Sequence, residues 1–201
     1  AETYVWKGEA LYALKRYDDA IKEYNNFNWL ASSNDLESEE RLLAKSSYSA
    51  GYAFIKKDDY PSARPYFAKS IDNLEKSGDS KLIQKIYADA ILRFGDCYFI
   101  MKNYPKAAEQ YNIIVSRNLK GADYALYQKA IIAGLNGNES QKIDLLEKIP
   151  RQYPRSLYAD DALYEKGSTL INTGNAQKAV PIFKSIITDL PNSNYAPDAY
   201  L

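Results

Sequence analysis

One spacing of small and aromatic residues recurs along the sequence, and it constrains the fold more than any other feature. In four segments a glycine is followed twelve residues later by alanine and sixteen residues later by tyrosine or phenylalanine. The segments are Gly8, Ala20 and Tyr24; Gly51, Ala63 and Phe67; Gly95, Ala107 and Tyr111; and Gly167, Ala179 and Phe183. A degenerate fifth copy has Ala130, Lys142 and Leu146 at these positions. Self-similarity of this kind is typical of a repeat architecture.

A helical hairpin explains the spacing within each copy. Glycine inside a helix costs roughly 1 kcal/mol relative to alanine, so its repeated use at one position needs a compensating contact. We expect two antiparallel helices to approach closely at the glycine, with the alanine as the facing surface and the aromatic ring filling the space beside it. Lys142, in place of the alanine, is expected to disturb this packing in the fourth hairpin.

Proline and turn residues mark the ends of the predicted helices. Pro61 and Pro105 follow short polar turns, where the second helix of a hairpin would begin. Residues 153–162 and 190–199 share the pattern Pro-x-Ser-x-Tyr-Ala-x-Asp-Ala, which we call the joint motif. We expect its proline to end one helix and its serine to cap the next. Further helix starts are predicted at residues 33–37 and 78–80.

These signals predict an all-α fold with about ten full helices and one partial helix. The repeats are expected at about 1–34, 44–77, 88–121, 123–156 and 160–193, with a partial sixth from about 195. The first two intervals exceed a 34-residue unit, and we expect the surplus to lengthen the first helices of repeats two and three. No linker interrupts the pattern, so residues 1–201 are predicted to form a single array. Since both ends fall within predicted helices, we expect a fragment of a longer protein.

Composition argues against several functional classes. Lys and Arg total 26 and so do Asp and Glu, so the basic surplus typical of nucleic-acid-binding proteins is absent. No apolar run approaches the roughly 20 residues of a transmembrane helix. The sequence has no histidine, the commonest general base near neutral pH, and a single cysteine, Cys97. We therefore predict no enzymatic activity, no catalytic residues, no metal site and no cofactor.

The residues that could suggest chemistry have structural interpretations. Four adjacent acid pairs lie at or near predicted helix starts, where carboxylates interact favourably with the helix dipole and with solvent. They are Asp18–Asp19, Glu39–Glu40, Asp58–Asp59 and Asp160–Asp161. Cys97 lies among aromatic residues inside a predicted helix and is interpreted as a small buried apolar residue.

The repeated positions resemble the tetratricopeptide repeat over nearly the whole chain. Gly167, Ala179, Phe183 and Pro191 match the small residue, the alanine, the aromatic residue and the closing proline of that family. The tryptophan typical of the first helix is absent, and its positions hold Tyr4, Ser47, Ile91, Leu126 and Leu163. The resemblance implies a right-handed α–α superhelix, a solenoid of about five hairpins that serves as a scaffold for protein–protein interaction.

The joint motif resembles the bacterial cell-envelope branch of this family. That branch includes the periplasmic protein of the Tol-Pal system and the repeat lipoprotein of the outer-membrane-protein assembly machine. The resemblance implies a periplasmic or outer-membrane-associated protein of a Gram-negative bacterium, with the cytoplasm as the alternative location.

The resemblance also indicates a binding groove, because the family lines its concave face with first-helix side chains at fixed register positions. Read at those positions, this sequence is rich in aromatic residues, which suit interfaces. The candidate groove residues are Trp6, Tyr12, Tyr48, Tyr52, Arg93, Phe99, Tyr124, Tyr127 and Tyr164. A peptide or protein segment is the expected partner.

Two alternatives to peptide binding remain open from the sequence. Aromatic rings also stack on sugar faces, so a glycan-binding component of an envelope sugar-uptake system is the second functional hypothesis. The tyrosines could instead simply pack between long helices, in which case the binding surface lies elsewhere.

Overall fold

The computed structural model describes residues 2–33 and 40–200, and regular structure within these ranges is entirely helical. The chain forms two compact units, Ala1–Ile114 and Val115–Leu201. Because the boundary is close to the end of one helix, each unit consists of whole hairpins apart from that helix's last turn. No helix in the described ranges is both long enough and apolar enough to span a membrane.

The first unit contains three helical hairpins. Its elements are α1 (Glu2–Ala13), α2 (Tyr17–Ser33), α3 (Glu40–Ile55), α4 (Tyr60–Ser77), α5 (Ser80–Leu82), a π-helix (Ile83–Tyr87), α6 (Ala88–Ile100) and α7 (Tyr104–Ser116). The backbone stays helical through Leu82, Ile83 and Ala88. Residues 80–100 therefore form one long helix that pairs with α7.

The second unit contains two hairpins and a terminal turn. Its elements are α8 (Ala122–Leu135), α9 (Glu139–Gln152), α10 (Ala159–Asn172), α11 (Ala176–Asp189) and a 3-10 helix (Asp198–Tyr200). With residues 80–100 counted once, the described ranges hold the ten full helices that the sequence predicts. Where the partial or capping helix is predicted, from about 195, a short 3-10 helix forms at Asp198–Tyr200.

The surplus residues of the first two repeat intervals are distributed differently from the prediction. The prediction holds for the third hairpin, whose first helix begins at Ser80. However, α2 and α4 have 17 and 18 residues, against 13 in α7. Part of the extra length of each of these two repeat intervals therefore lies in the second helix of the hairpin before it, in α2 and in α4.

Local capping explains where these longer helices begin and end. The Asp59 carboxylate accepts from the Ser62 amide at 3.1 Å and caps α4, and Asp79 accepts from the Leu82 amide at 3.0 Å and caps α5. Gly78 ends α4 in the left-handed conformation, at φ 59°. The helix start predicted at residues 78–80 is thus confirmed. Residues 34–37 of the other predicted start, and Glu39, lie outside the described ranges.

The contact at the repeated glycines differs from the predicted one. A Cβ atom added at Gly8 would lie 2.5 Å from a ring carbon of Tyr24, and one at Gly167 would lie 2.6 Å from a ring carbon of Phe183. Gly51 and Gly95 meet the aromatic ring of their own hairpins in the same way. The aromatic ring, rather than the alanine, is therefore the surface against which the glycine packs. The alanine on the second helix is fully buried beside it in the first hairpin, at Ala20.

The fourth hairpin compensates for its missing alanine. Ala130 and Leu146 are fully buried at the glycine and aromatic positions. The Lys142 side chain passes against Gly134, where an added Cβ would lie 2.9 Å from Lys142 Cδ. Its ammonium then reaches Glu165 at 2.9 Å. A glycine one turn after Ala130 thus makes room for the lysine, and the packing is close after all.

Each serine of the joint motif makes a local bond as well as a long-range one: Ser156 Oγ accepts from the Tyr158 amide at 3.0 Å, and Ser193 Oγ accepts from the Tyr195 amide at 3.1 Å. Ser156 Oγ donates to Asp123 at 2.6 Å, and Ser193 Oγ donates to Asp160 at 2.8 Å. The helix that follows Ser156 begins only at Ala159 and has no side-chain cap. Each serine therefore bonds to the start of the preceding hairpin, 33 residues earlier.

Candidate functional site

All nine predicted groove residues lie on the first helices of their hairpins. Six belong to the first unit and three to the second. Trp6 is 60% exposed, whereas the other eight side chains are partly buried. Only Trp6 of the nine therefore presents most of its side chain to solvent, and the other eight side chains are packed in part against the rest of the protein.

Helices α1 and α3 meet along a seam of polar and aromatic pairs. Lys45 Nζ lies 4.5 Å from the centre of the Trp6 ring, a cation–π contact. One turn further along, Ser49 Oγ donates to Glu9 Oε1 at 2.7 Å. These contacts fix the two helices side by side in register.

An apolar pocket of about 310 Å³ opens at the next level of this seam. Its lining residues are Glu9, Tyr12, Tyr48, Ser49 and Tyr52. Three of the predicted groove residues are thus brought together around one concavity. Larger cavities, of about 540 and 490 Å³, lie in the second unit and are lined mainly by charged and polar side chains, away from the predicted groove residues.

A single carboxylate holds two of these tyrosines in place. Tyr48 donates its hydroxyl to Asp89 Oδ2 at 2.8 Å, and Tyr52 donates to the same oxygen. The rings meet edge to face, with centres 5.0 Å apart. Both also pack edge to face with Phe67, which is fully buried. They are therefore anchored at the hydroxyl and at the ring.

The acceptor Asp89 belongs to a charged network along the 80–100 helix. Arg93 lies 3.4 Å from Asp89 and donates to Asp96 at 2.5 Å. The second oxygen of Asp96 accepts from the buried Tyr111 hydroxyl at 2.7 Å. The Arg93 guanidinium is thus already paired with two carboxylates of this chain. A partner carboxylate, the predicted ligand of Arg93, would have to compete with them.

Burial and this network keep the phenols protonated. Burial, followed by the Asp89 hydrogen bond and charge, raises the pKa of Tyr52 above its ordinary value, and the pKa of Tyr48 is raised by burial and then by the Asp89 charge. Burial also raises the pKa of Tyr12, with smaller contributions from Tyr17 and Glu9. Neutral rings with fixed hydroxyls are suited to non-covalent recognition rather than to acid–base chemistry.

The remaining predicted residue of this unit lies outside the pocket. Phe99 is one turn beyond Asp96 and packs against Tyr104, with ring centres 5.6 Å apart. Trp6 lies beside the pocket on the same seam, next to Lys45. Of the six predicted residues of this unit, Tyr12, Tyr48 and Tyr52 therefore line the pocket, and Trp6, Arg93 and Phe99 are not part of its lining.

In the second unit, joint-motif tyrosines cover the predicted residues. Tyr158 stacks with Tyr127 at 5.7 Å and contacts Tyr124 at 5.4 Å. Tyr195 stacks on Tyr164 at 4.4 Å and donates to Asp161 at 2.6 Å. In this unit, Tyr124, Tyr127 and Tyr164 thus contact rings from the turn that follows their own hairpin.

Sequence reasoning left out two acidic residues that matter for the pocket, Glu9 and Asp89. Both stand at the same family register positions as the chosen residues. Neither side chain is aromatic, so neither was among the predicted groove residues. A carboxylate at a groove position near a tyrosine could have indicated these contacts, because a partly buried phenol hydroxyl needs a hydrogen-bond acceptor.

The interpretation of Cys97 as a buried apolar residue is confirmed. The side chain is fully buried, and burial, reinforced by the charge of Asp96, raises the pKa of its thiol to about 12. Among the described residues, no group of three or more His, Cys, Asp or Glu side chains is arranged to hold a metal ion.

We expect Cys97 to resist alkylation as long as the protein is folded. At pH 8 a thiol with its pKa near 12 has roughly 10³-fold less thiolate than an ordinary cysteine, and only the thiolate reacts. Iodoacetamide labelling followed by intact-protein mass spectrometry should give almost no product in buffer and complete labelling in urea. Rapid labelling of the folded protein would show that the thiol is accessible.

Comparison with known proteins finds matches to repeat models in three segments of the chain. Residues 124–156 and 161–193 match one tetratricopeptide repeat model, and residues 1–26 match another. These three segments are therefore similar to the tetratricopeptide repeat. The two later matches begin one residue after the predicted repeat starts at 123 and 160, and the other match covers α1 and the first part of α2.

Solved tetratricopeptide repeat proteins share the fold at low sequence identity. YrrB, described as a TPR protein with an unusual peptide-binding site, is 20% identical, with a TM-score of 0.68 over 98% of this chain and 90% of that one. MamA is 17% identical, with a TM-score of 0.70 over 90% of this chain and 87% of that one. MamA from Desulfovibrio magneticus RS-1 is 13% identical, with a TM-score of 0.69 over 96% of both chains. The comparison with curated proteins finds no match.

Proposed function

We propose that this protein is a non-catalytic scaffold that binds a peptide or protein segment along the first-helix face of its first unit. The observation that carries the proposal is the pocket between α1 and α3, lined by Tyr12, Tyr48 and Tyr52. Tetratricopeptide repeats support a protein-interaction scaffold in general, and the pocket supplies a specific place on this chain.

The pocket has the physical properties of an interaction anchor. Tyrosine offers a large contact area with few rotatable bonds, and such residues dominate binding energy when they lie in a well-packed centre. Tyr48 and Tyr52 are already immobilised by Asp89 and Phe67, so a partner need not order them. Exposed Trp6 extends the surface along the same seam.

Peptide binding suits these rings better than glycan binding. A sugar ring stacks on an open, flat aromatic face, but the planes of Tyr48 and Tyr52 are inclined at 67° and both rings pack on Phe67. The indole of Trp6 has Lys45 over it. A narrow pocket between inclined rings suits a single side chain.

A cell-envelope location is part of the proposal and rests on the joint motif at residues 153–162 and 190–199. Osmotic-shock fractionation of the native host with immunodetection tests it. Recovery of the protein only with cytoplasmic markers would contradict this location.

We expect peptides selected on this protein to depend on Tyr12. A phage-displayed random peptide library would be selected on the folded chain, and affinities of the enriched peptides measured by fluorescence anisotropy. Tyr12→Ala should weaken binding roughly tenfold or more, because it removes one wall of the pocket.

Tyr4→Ala is the matched control for this experiment. Tyr4 lies on the same helix, is 37% exposed and does not line the pocket. Circular dichroism should show both variants folded. Peptides that bind Tyr12→Ala and wild type equally would place the binding surface elsewhere, and saturable binding of peptidoglycan or polysaccharide fragments in calorimetry, without peptide enrichment, would favour the glycan alternative.

A further inference from the structure

We propose that the pocket between α1 and α3 accepts a lysine side chain of the partner, a proposal that rests on the peptide-binding function above. Its lining combines three tyrosine rings with one carboxylate, Glu9, and includes no basic residue. Aromatic faces attract cations through the ring quadrupole, and the Glu9 carboxylate adds a negative charge that can pair with an ammonium group.

The charge around the pocket is negative. Glu9 lines it, and Asp89 lies directly behind the hydroxyls of Tyr48 and Tyr52. The neighbouring Arg93 lies against two carboxylates, Asp89 and Asp96, so these three groups together carry one negative charge. With Glu9 the formal charge is minus two, which favours a cationic occupant.

The same seam already holds one lysine on an aromatic ring. Lys45 from α3 lies over Trp6 from α1, one level before the pocket. Lys45 is thus engaged away from the pocket. At the pocket level the equivalent aromatic surroundings are present, but the lining residues provide no cation of their own.

The shape fits an alkylammonium group better than a guanidinium. The rings of Tyr48 and Tyr52 are inclined at 67°, so they enclose a compact group instead of offering one plane for stacking. A planar guanidinium favours parallel stacking and bidentate carboxylates, and one oxygen of Glu9 already accepts from Ser49. A cavity of about 310 Å³ has room for the four-carbon stem of lysine with its ammonium.

The test uses a defined probe, Nα-acetyl-lysine methylamide, and its uncharged counterpart Nα-acetyl-norleucine methylamide. Both are titrated into the folded chain by NMR, with the ring signals of Tyr12, Tyr48 and Tyr52 assigned from single Tyr→Phe variants. We expect saturable shifts of these signals with the lysine probe and at least roughly fivefold weaker binding of the norleucine probe.

Glu9→Gln and Glu2→Gln form the matched pair of variants. Glutamine at position 9 can still accept from Ser49, so the seam is kept while the charge is lost. Glu2 is an exposed acid on the same helix, outside the pocket. Glu9→Gln should weaken the lysine probe roughly fivefold, and Glu2→Gln should leave it unchanged.

The outcomes separate this inference from the proposed function. Equal binding of the two probes, or of wild type and Glu9→Gln, overturns the lysine pocket. If the library peptides still depend on Tyr12 in that case, the peptide-binding function stands without it. Lysine binding at the three tyrosines without any enriched peptide would support the cation site and overturn the peptide-binding function. A preference for Nα-acetyl-arginine methylamide would also overturn the assignment of lysine.

Discussion

Gly95→Leu should strongly destabilise the first unit, by about 3 kcal/mol or more. An added Cβ at Gly95 would lie 2.9 Å from Tyr111 Cε1 and 3.2 Å from Gln110 Cβ. The Tyr111 ring cannot swing aside, because it is fully buried and its hydroxyl is bonded to Asp96 at 2.7 Å. The larger side chain must therefore push α6 and α7 apart. Thermal unfolding followed by circular dichroism measures the effect.

Gly134→Leu is the matched control for this prediction. Gly134 also lies in a first helix, but an added Cβ there meets the outer atoms of the flexible Lys142 side chain, at 2.9 Å from Cδ and 3.6 Å from Nζ. A lysine can change rotamer at low cost, so we expect a loss within about 1 kcal/mol. Equal melting temperatures for Gly95→Leu and wild type would show that the aromatic ring can yield and that the repeated glycines have another cause.

Asp89→Ala should produce the second large effect, a loss of about 2–3 kcal/mol in the stability of the first unit. The carboxylate accepts from the hydroxyls of both Tyr48 and Tyr52, and hydrogen bonds to a charged group contribute more than neutral ones. Its removal leaves two partly buried phenols without this acceptor and takes one carboxylate from Arg93. Urea unfolding monitored by circular dichroism gives the change in free energy.

A surface aspartate and a double-mutant cycle provide the controls. Asp72 pairs with Lys76 at 2.8 Å on the exposed side of α4, so Asp72→Ala should cost at most about 0.5 kcal/mol. Tyr52→Phe should cost less in the Asp89→Ala background than in wild type, because the two changes remove the same bond. Additive losses in the cycle would contradict the shared hydrogen bond.

The sequence determined the helices and their pairing. Helix formation depends on contacts three and four residues apart and on end residues such as Asp59 and Asp79, all of which are local in the chain. The recurring glycine, alanine and aromatic residues then fixed which helices pair, because only adjacent helices can bring the three positions together. The burial of Cys97 followed from its apolar neighbours on the same helix.

Only the tertiary structure decided which atoms meet between helices. Spacing alone did not show that Gly95 faces the Tyr111 ring, that Ser156 reaches Asp123, or that Gly134 makes room for Lys142. Likewise, the pocket depends on Asp89, which lies 41 residues from Tyr48. Such contacts depend on the rotation of each helix about its axis and on side-chain rotamers. These are set by the packing of neighbouring hairpins, so a repeat register places residues on a face without selecting their partners.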